Sequence, residues 1–225
     1  MGPAMSEKAA GAQGAQVYSQ WLLALHDWWV LGIVSTFAWR CRTKSVLLPF
    51  FRNNVGHKHL DIGVGTGYYL HHAKLPADTQ VTLLDLNANS LEAAKRRFGR
   101  NDTPCVLHDI FEPLPSELGK FDSMSMFYFL HCLPGSPEDK CSIFEHLKRN
   151  LTENGCVYGA NIIGKDINHN FFGKTMLKFG NKDDFFHNME DSKVALTGRL
   201  SEHFKQVEVE VVGAIFMFKA SQLTL

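Results

Sequence analysis

His59-Leu60-Asp61-Ile62-Gly63-Val64-Gly65-Thr66-Gly67-Tyr68-Tyr69 is the stretch around which the rest of the chain is arranged. Leu60 and Ile62 supply the apolar end of a buried strand. Gly63, Gly65 and Gly67 supply a turn open to positive φ and close approach, and Tyr68 starts a helix. Strand, glycine turn and helix N-terminus together build a nucleotide-binding crevice. Spacing then separates two kinds of crevice. A dinucleotide fingerprint runs G-x-G-x-x-G, and its third glycine would fall at position 68, where this chain has Tyr.

Downstream, the same unit repeats. Tyr68 to Leu75 continues as a helix ended by Pro76, and Gln80 to Leu84 reads as a second apolar strand closed by Asp85. Asp85 lies 18 residues after Gly67, at a strand end, where a carboxylate accepts both hydroxyls of a ribose. A helix follows, with Ser90 as N-cap and Gly99 past its end. Cys105 to His108 and Phe121 to Phe129 are the third and fourth strands. Helix signals cover Pro137 to Leu151, Gly155 to Ile163 is a fifth strand, and a helix runs from Asp191 to Phe204. Gln206 to Val212 and Ala214 to Lys219 close the chain as a hairpin about Gly213. Strands alternating with helices predict a parallel, doubly wound sheet with ligands at the carboxyl ends of its strands.

Asp61-x-Gly63-x-Gly65-x-Gly67 resembles the first motif of the class I S-adenosylmethionine-dependent methyltransferases, in their small-molecule branch. The run from Asp85 to Arg97, D-L-N-A-N-S-L-E-A-A-K-R-R, is similar to their second motif, and the closing hairpin is similar to their antiparallel final strand. The resemblance runs from about His57 to the C-terminus. It implies an α/β fold: a doubly wound, Rossmann-like, seven-stranded sheet with an antiparallel C-terminal hairpin and an N-terminal helical lid. It implies S-adenosylmethionine as cofactor, S-adenosylhomocysteine as product and no metal. Cofactor contacts fall on Asp61, Gly63, Gly65, Gly67, Tyr68, Asp85, Leu86, Asn87, Asp109, Ile110 and Phe127. In this family Asp109 faces the adenine amino group with its apolar neighbour on the ring, and the fourth strand ends beside the transferable methyl.

A sulfonium methyl is already activated, so the protein must align acceptor, methyl and sulfur and exclude water. Tyr68 and Phe127 are candidate aromatic faces for the cation. A hydroxyl acceptor gains from a base, and His131 in Leu130-His131-Cys132-Leu133-Pro134, at the expected end of the fourth strand, is the first candidate. The competing reading gives His131 a hydrogen bond to cofactor or lid and no proton to move. Tyr128 orients substrate in this scheme. Val17 to Trp39 is aromatic and apolar, but a central Asp27 costs roughly 3 kcal/mol in a membrane. One or two amphipathic helices broken around Gly32 to Ser35 and covering the crevice are the better account. Tyr18, Trp28 and Trp39 from this lid, with Tyr128 and with Phe171 and Phe172 from an insertion at 166–190, are the expected substrate contacts. Arg40 and Arg42 either meet the cofactor carboxylate or are solvated.

The 225 residues, 45% apolar and 20% charged, suit one domain: a mobile start (1–16), the lid (17–52) and the core (57–225). Equal counts of 23 basic and 23 acidic residues give no electrostatic footprint for nucleic acid or an anionic membrane. A small-molecule partner is expected, and a homodimer is compatible with that. Cys41, Cys105, Cys132, Cys141 and Cys156 lack metal-site spacing and an even count, which points to reduced thiols and a cytoplasmic protein. No signal-peptide pattern opens the chain, the sequons at Asn101 and Asn150 read as chance, and Pro3 argues against myristoylation at Gly2. Two alternatives stay open: a rearrangement or ring closure on the same cofactor without methyl transfer, and an NAD-linked oxidoreductase, against which Tyr68 and the hairpin count.

Overall fold

The computed structural model describes residues 27–223. Seven strands form one sheet: β1 (Lys58–Ile62), β2 (Gln80–Asp85), β3 (Cys105–Leu107), β4 (Phe121–Phe127), β5 (Leu151–Ile162), β6 (Phe204–Val212) and β7 (Ile215–Leu223). Their order is β3-β2-β1-β4-β5-β7-β6. The first five strands are parallel, and β7 runs antiparallel to both its neighbours. The expected doubly wound sheet and closing hairpin are both present. Strand order reverses between β1 and β4, which puts the ligand crevice outside the carboxyl ends of those two strands.

Both faces of the sheet are covered, yet its central strands are not uniformly apolar. Leu60, Ile62, Met124 and Met126 enter one core with Phe144, Phe216 and Phe218. The opposite core holds Phe51, Tyr69, Leu70, Phe127 and Tyr158. Register sets Asp61 beside Ser125 and Ser125 beside Tyr158, so a polar row crosses that second face.

Helix α1 (Asp27–Ala38) is wound with π geometry, and α2 (Thr43–Leu47) leads into α3 (Leu48–Asn54). The expected break at Gly32 to Ser35 is absent. α1 continues through it and the chain turns instead at Trp39 to Arg42, where Arg40 adopts φ 55°. Side chains stitch this corner: Ser35 Oγ donates to the Cys41 carbonyl at 2.7 Å, and Thr43 Oγ1 donates to the Leu31 carbonyl at 2.6 Å. Among the described residues no helix is long and apolar enough to cross a membrane. The predicted start at 1–16 lies outside the described residues.

Helix α4 (Tyr68–Ala73) is shorter than expected, because Lys74 takes φ 52°. Helix α5 (Ala88–Phe98) begins earlier than expected: Asn87, not Ser90, is its N-cap, its side chain accepting from the Asn89 amide. Gly99 closes it in the left-handed region. Beyond β4, the expected long helix is two short ones, α6 (Pro137–Cys141), opened by a Ser136–Asp139 capping box, and α7 (Ile143–Leu147). β5 then starts at Leu151, earlier than the glycine at 155 suggested. The insertion contains α8 (Phe171–Lys182), capped by Asn170, and α9 (Lys193–His203) precedes the hairpin.

Candidate active site

The three glycines of the loop do three different jobs. A Cβ on Gly63 would lie 2.2 Å from the Phe129 ring, and one on Gly67 would lie 2.8 Å from the Ala94 backbone. Those two glycines let Phe129 and α5 pack against the loop. A Cβ on Gly65 would meet nothing within 4 Å, although φ there is +50°. Gly65 therefore faces the crevice, and Gly67 N–H closes the turn onto the Val64 carbonyl at 2.8 Å.

Asp85 ends β2 beside this loop. Its Oδ1 accepts the Asn87 amide at 2.9 Å. Burial raises its carboxyl to about 6, while the amides of Asn87, Gly65, Leu86 and Val64 favour the ionised form. The geometry is that of a carboxylate presented across the loop, as a ribose diol requires. Leu86, next to it, is 45% exposed, an apolar surface at the same sheet edge. Asp109 lies just past β3, where its Oδ1 accepts the Phe111 amide at 3.0 Å, and Ile110 is buried beneath. Asn87 caps α5 through its side chain and touches Asp85 through its backbone.

Asp61, near the carboxyl end of β1, is buried. Ser125 Oγ donates to its Oδ1 at 2.5 Å. Burial is the largest influence on this carboxyl and lifts it to about 7, with Asp85 adding to the rise and Ser125 opposing it.

The two aromatic candidates for the sulfonium are both buried. Phe127 packs into the core with Tyr69 at 4.5 Å and Phe51 at 5.3 Å between ring centroids. Tyr68 is buried on α4 with the His72 ring at 4.4 Å and the Arg97 guanidinium over its own ring at 5.4 Å. The Arg97 guanidinium lies over one face of the Tyr68 ring, whereas the neighbours of Phe127 named above are rings.

The end of β4 carries the second half of the site. Tyr128 is held at φ 56°, a strained conformation for a bulky residue, and its hydroxyl meets Ser35 Oγ of α1 at 2.8 Å. Ser35 donates its own hydrogen to Cys41, so Tyr128 is the donor in that bond. His131 follows in a 3₁₀ turn and is buried. Asn161 Oδ1 on β5 accepts both the His131 backbone amide at 2.8 Å and His131 Nδ1 at 2.9 Å. The backbone amide can only donate, which fixes which end of the Asn161 amide faces His131. Nδ1 must then carry the imidazole hydrogen, and Nε2 keeps its lone pair. Burial is the main cause that lowers the imidazolium to about 3, so the ring is neutral across the physiological range.

Lid and insertion meet at the same place. Asn170 Nδ2 donates to the Phe37 carbonyl at 2.7 Å, and Arg40 donates to the Asn168 carbonyl at 2.9 Å. Arg40 thus ties the lid to the insertion rather than reaching toward a cofactor. Phe186 from the insertion lies edge-on to His131 at 4.9 Å, and the His187 amide donates to the His131 carbonyl. Lys140 Nζ secures that end by donating to the His187 carbonyl and to Asp191 at 2.8 Å in a fully buried ion pair.

The expected substrate contacts are only partly gathered here. Tyr128 is beside His131 at 5.9 Å. Trp39 is 1% exposed and packs edge-on against Phe186 and His169, a core position beneath the site. Phe172 meets Trp29 across the seam between α8 and α1, whereas Phe171 is 88% exposed at the start of α8. Tyr18 and the Trp28 side chain lie outside the described residues. Ser35, Asn161 and Phe186 went unnoticed in the sequence. For Asn161 a signal existed, since a lone amide inside Gly155 to Ile163 is a polar group in a buried strand that needs a partner. Two surface concavities of about 390 and 370 Å³, near Arg199 and near Arg52, lie on other faces.

A glycine loop open at Gly65, a carboxylate across it and a strand order with an antiparallel last strand define a class I methyltransferase site. Comparison with known proteins gives the same answer. A methyltransferase domain family matches residues 60–157. The chain is 46% identical over 209 residues to a physcion biosynthesis cluster O-methyltransferase of Aspergillus chevalieri, covering 92% of this chain and 94% of that one. It is 47% identical over 207 residues to the N-methyltransferase vrtF of Penicillium aethiopicum, covering 92% and 87%. The solved DhpI complex with S-adenosylhomocysteine shares the fold, with a TM-score of 0.67 at 16% identity over 96% of this chain and 99% of that one. The chain belongs to the class I S-adenosylmethionine-dependent methyltransferases. Its cofactor is S-adenosylmethionine, and its reaction is methyl transfer to a small molecule rather than a non-methylating rearrangement.

Proposed function

We propose that the acceptor is a hydroxyl or N–H group of a small, largely apolar metabolite, and that His131 Nε2 takes the proton that the acceptor loses. The relatives named above are O- and N-methyltransferases, and both atom types carry such a proton. The observation that carries the reading is the double hydrogen bond of Asn161 Oδ1 to His131, which leaves Nε2 as the unprotonated nitrogen.

When bound, S-adenosylmethionine supplies the methyl group on a sulfonium that needs no further activation. The loop at Gly65 admits it, Asp85 holds its ribose, Asp61 faces its methionine end, and Leu86 with Asp109 borders its adenine. Tyr128 and Phe186 orient the acceptor beside His131, and the tied lid and insertion exclude water. A lowered imidazolium does not disable His131 as a base. A methylated hydroxyl oxygen that still holds its proton is a strong acid, so a neutral imidazole takes that proton late, as the methyl arrives. The partners in this reading are cofactor and acceptor alone, in the cytoplasm, where five unpaired thiols remain reduced.

A mass-spectrometric screen tests the acceptor class. Extract of the producing cell is incubated with the protein and methyl-labelled cofactor. Labelled products whose methyl sits on oxygen or nitrogen support the reading, and products labelled only on carbon overturn it.

A further inference from the structure

Behind the glycine loop, a chain of hydrogen bonds crosses the sheet on the face that holds Asp61. The register pairs His59 with Ser123 and Asp61 with Ser125, so alternate residues of β1 and β4 bring four polar side chains together. The Gly56 amide donates to Ser123 Oγ at 2.7 Å, and Ser123 Oγ lies 2.7 Å from His59 Nδ1. His59 Nε2 lies 3.0 Å from Ser125 Oγ, which reaches Asp61 Oδ1. His59, Ser123 and Ser125 are wholly buried, with the Phe51 ring edge-on to His59 at 5.8 Å and the Tyr158 ring at 6.1 Å. Such groups are expensive in an aromatic core unless each has its partner.

Counting hydrogens sets the direction of the chain. Gly56 N–H can only donate, so Ser123 Oγ accepts it and has its own hydrogen to give to His59 Nδ1. His59 then carries its hydrogen on Nε2 and donates to Ser125, and Ser125 donates to an ionised Asp61. The reverse direction needs a protonated Asp61 and leaves the Ser123 hydrogen without an acceptor in the chain. Only the first arrangement uses every hydrogen.

We propose that His59 is a positioning residue for cofactor binding: through Ser125 it holds Asp61 as an oriented, ionised carboxylate for the cationic methionine end of the cofactor. This rests on the assignment of Asp61 to the cofactor. Other groups act on the same carboxyl. Asp85 on β2 repels its charge, and Tyr158 on β5 brings a buried hydroxyl to the same face, beside Ser125 and Asp61. α3 and α4 contribute the stacked rings of Phe51 and Tyr69 to this face, and Ser125 opposes the rise that burial imposes.

Calorimetric titration of S-adenosylmethionine from about pH 6 to about pH 9 tests the chain, with melting curves to show that each variant folds. Severing a bond to a charged group predicts about tenfold weaker binding at neutral pH for His59→Phe and for Ser125→Ala. The deficit should close toward about pH 9, where Asp61 ionises unaided. His59→Gln keeps a donor and an acceptor and should bind nearly as the parent does. If folded His59→Phe and Ser125→Ala keep the parent pH profile, or lose affinity equally at every pH, the positioning role is overturned. Asp61→Asn separates the two claims. Parent-like affinity in that variant would remove Asp61 from the cofactor site, whereas weak binding at every pH leaves the test of His59 standing. Should His59→Phe not fold, Ser125→Ala decides alone.

Discussion

Asn161 Oδ1 accepts two hydrogen bonds from His131, one from its backbone amide and one from Nδ1, and so fixes both the position and the tautomer of the ring. Asn161→Ala should leave cofactor affinity unchanged and lower kcat about tenfold, because the ring then samples the tautomer with Nε2 protonated. Steady-state kinetics beside calorimetry checks this, and a loss confined to cofactor affinity would count against the arrangement.

The glycines predict a graded series. Gly65→Ala costs only the strain of its left-handed backbone, roughly 1–2 kcal/mol, while a methyl group enters the crevice. It should fold and bind the cofactor poorly. Gly63→Ala and Gly67→Ala add clashes with Phe129 and with the Ala94 backbone, so they should lose more stability than Gly65→Ala. Melting temperatures and cofactor titrations on the three variants separate these effects.

Asp85→Ala should abolish measurable cofactor binding in a protein that still folds, since Asp85 sits at a strand end and is replaceable there without opening the core. Unchanged affinity by calorimetry would take the ribose role from Asp85.

Burial raises both Asp61, to about 7, and Asp85, to about 6, above the ordinary carboxyl value of 3.8. A raised acid binds protons more tightly folded than unfolded. Its contribution to stability is therefore full below pH 3.8 and is lost as pH rises through the folded value. The cofactor-free protein should lose melting temperature from about pH 4 to about pH 7 on account of these two groups. Asp61→Asn should flatten that slope, and an unchanged slope would contradict the burial argument.

Much of this was legible in the sequence, and the reasons differ by element. Asp61 to Gly67 and Asp85 declared the loop and the carboxylate because backbone conformation and strand ends impose local residue rules. The hairpin about Gly213 was visible for the same reason. Helix limits were less so: Asn87 outcompeted Ser90 as a cap, and α1 ran through Gly32 because Ser35 and Thr43 bond across the corner. The burial of Tyr68, Phe127 and Trp39 was not legible, since an aromatic residue near a motif looks the same whether it faces a ligand or the core. The partners of His131 lie 30 residues or more away, on β5 and in the insertion, and only the tertiary fold brings Asn161 to it.

Single-turnover methyl transfer by His131→Ala, with saturating labelled cofactor and an oxygen or nitrogen acceptor found in the screen, tests the account most directly. The parent protein should transfer label, and the variant should bind cofactor normally while transferring at least about 100-fold more slowly, the usual contribution of a positioned base. Equal single-turnover rates in the two proteins would contradict the account.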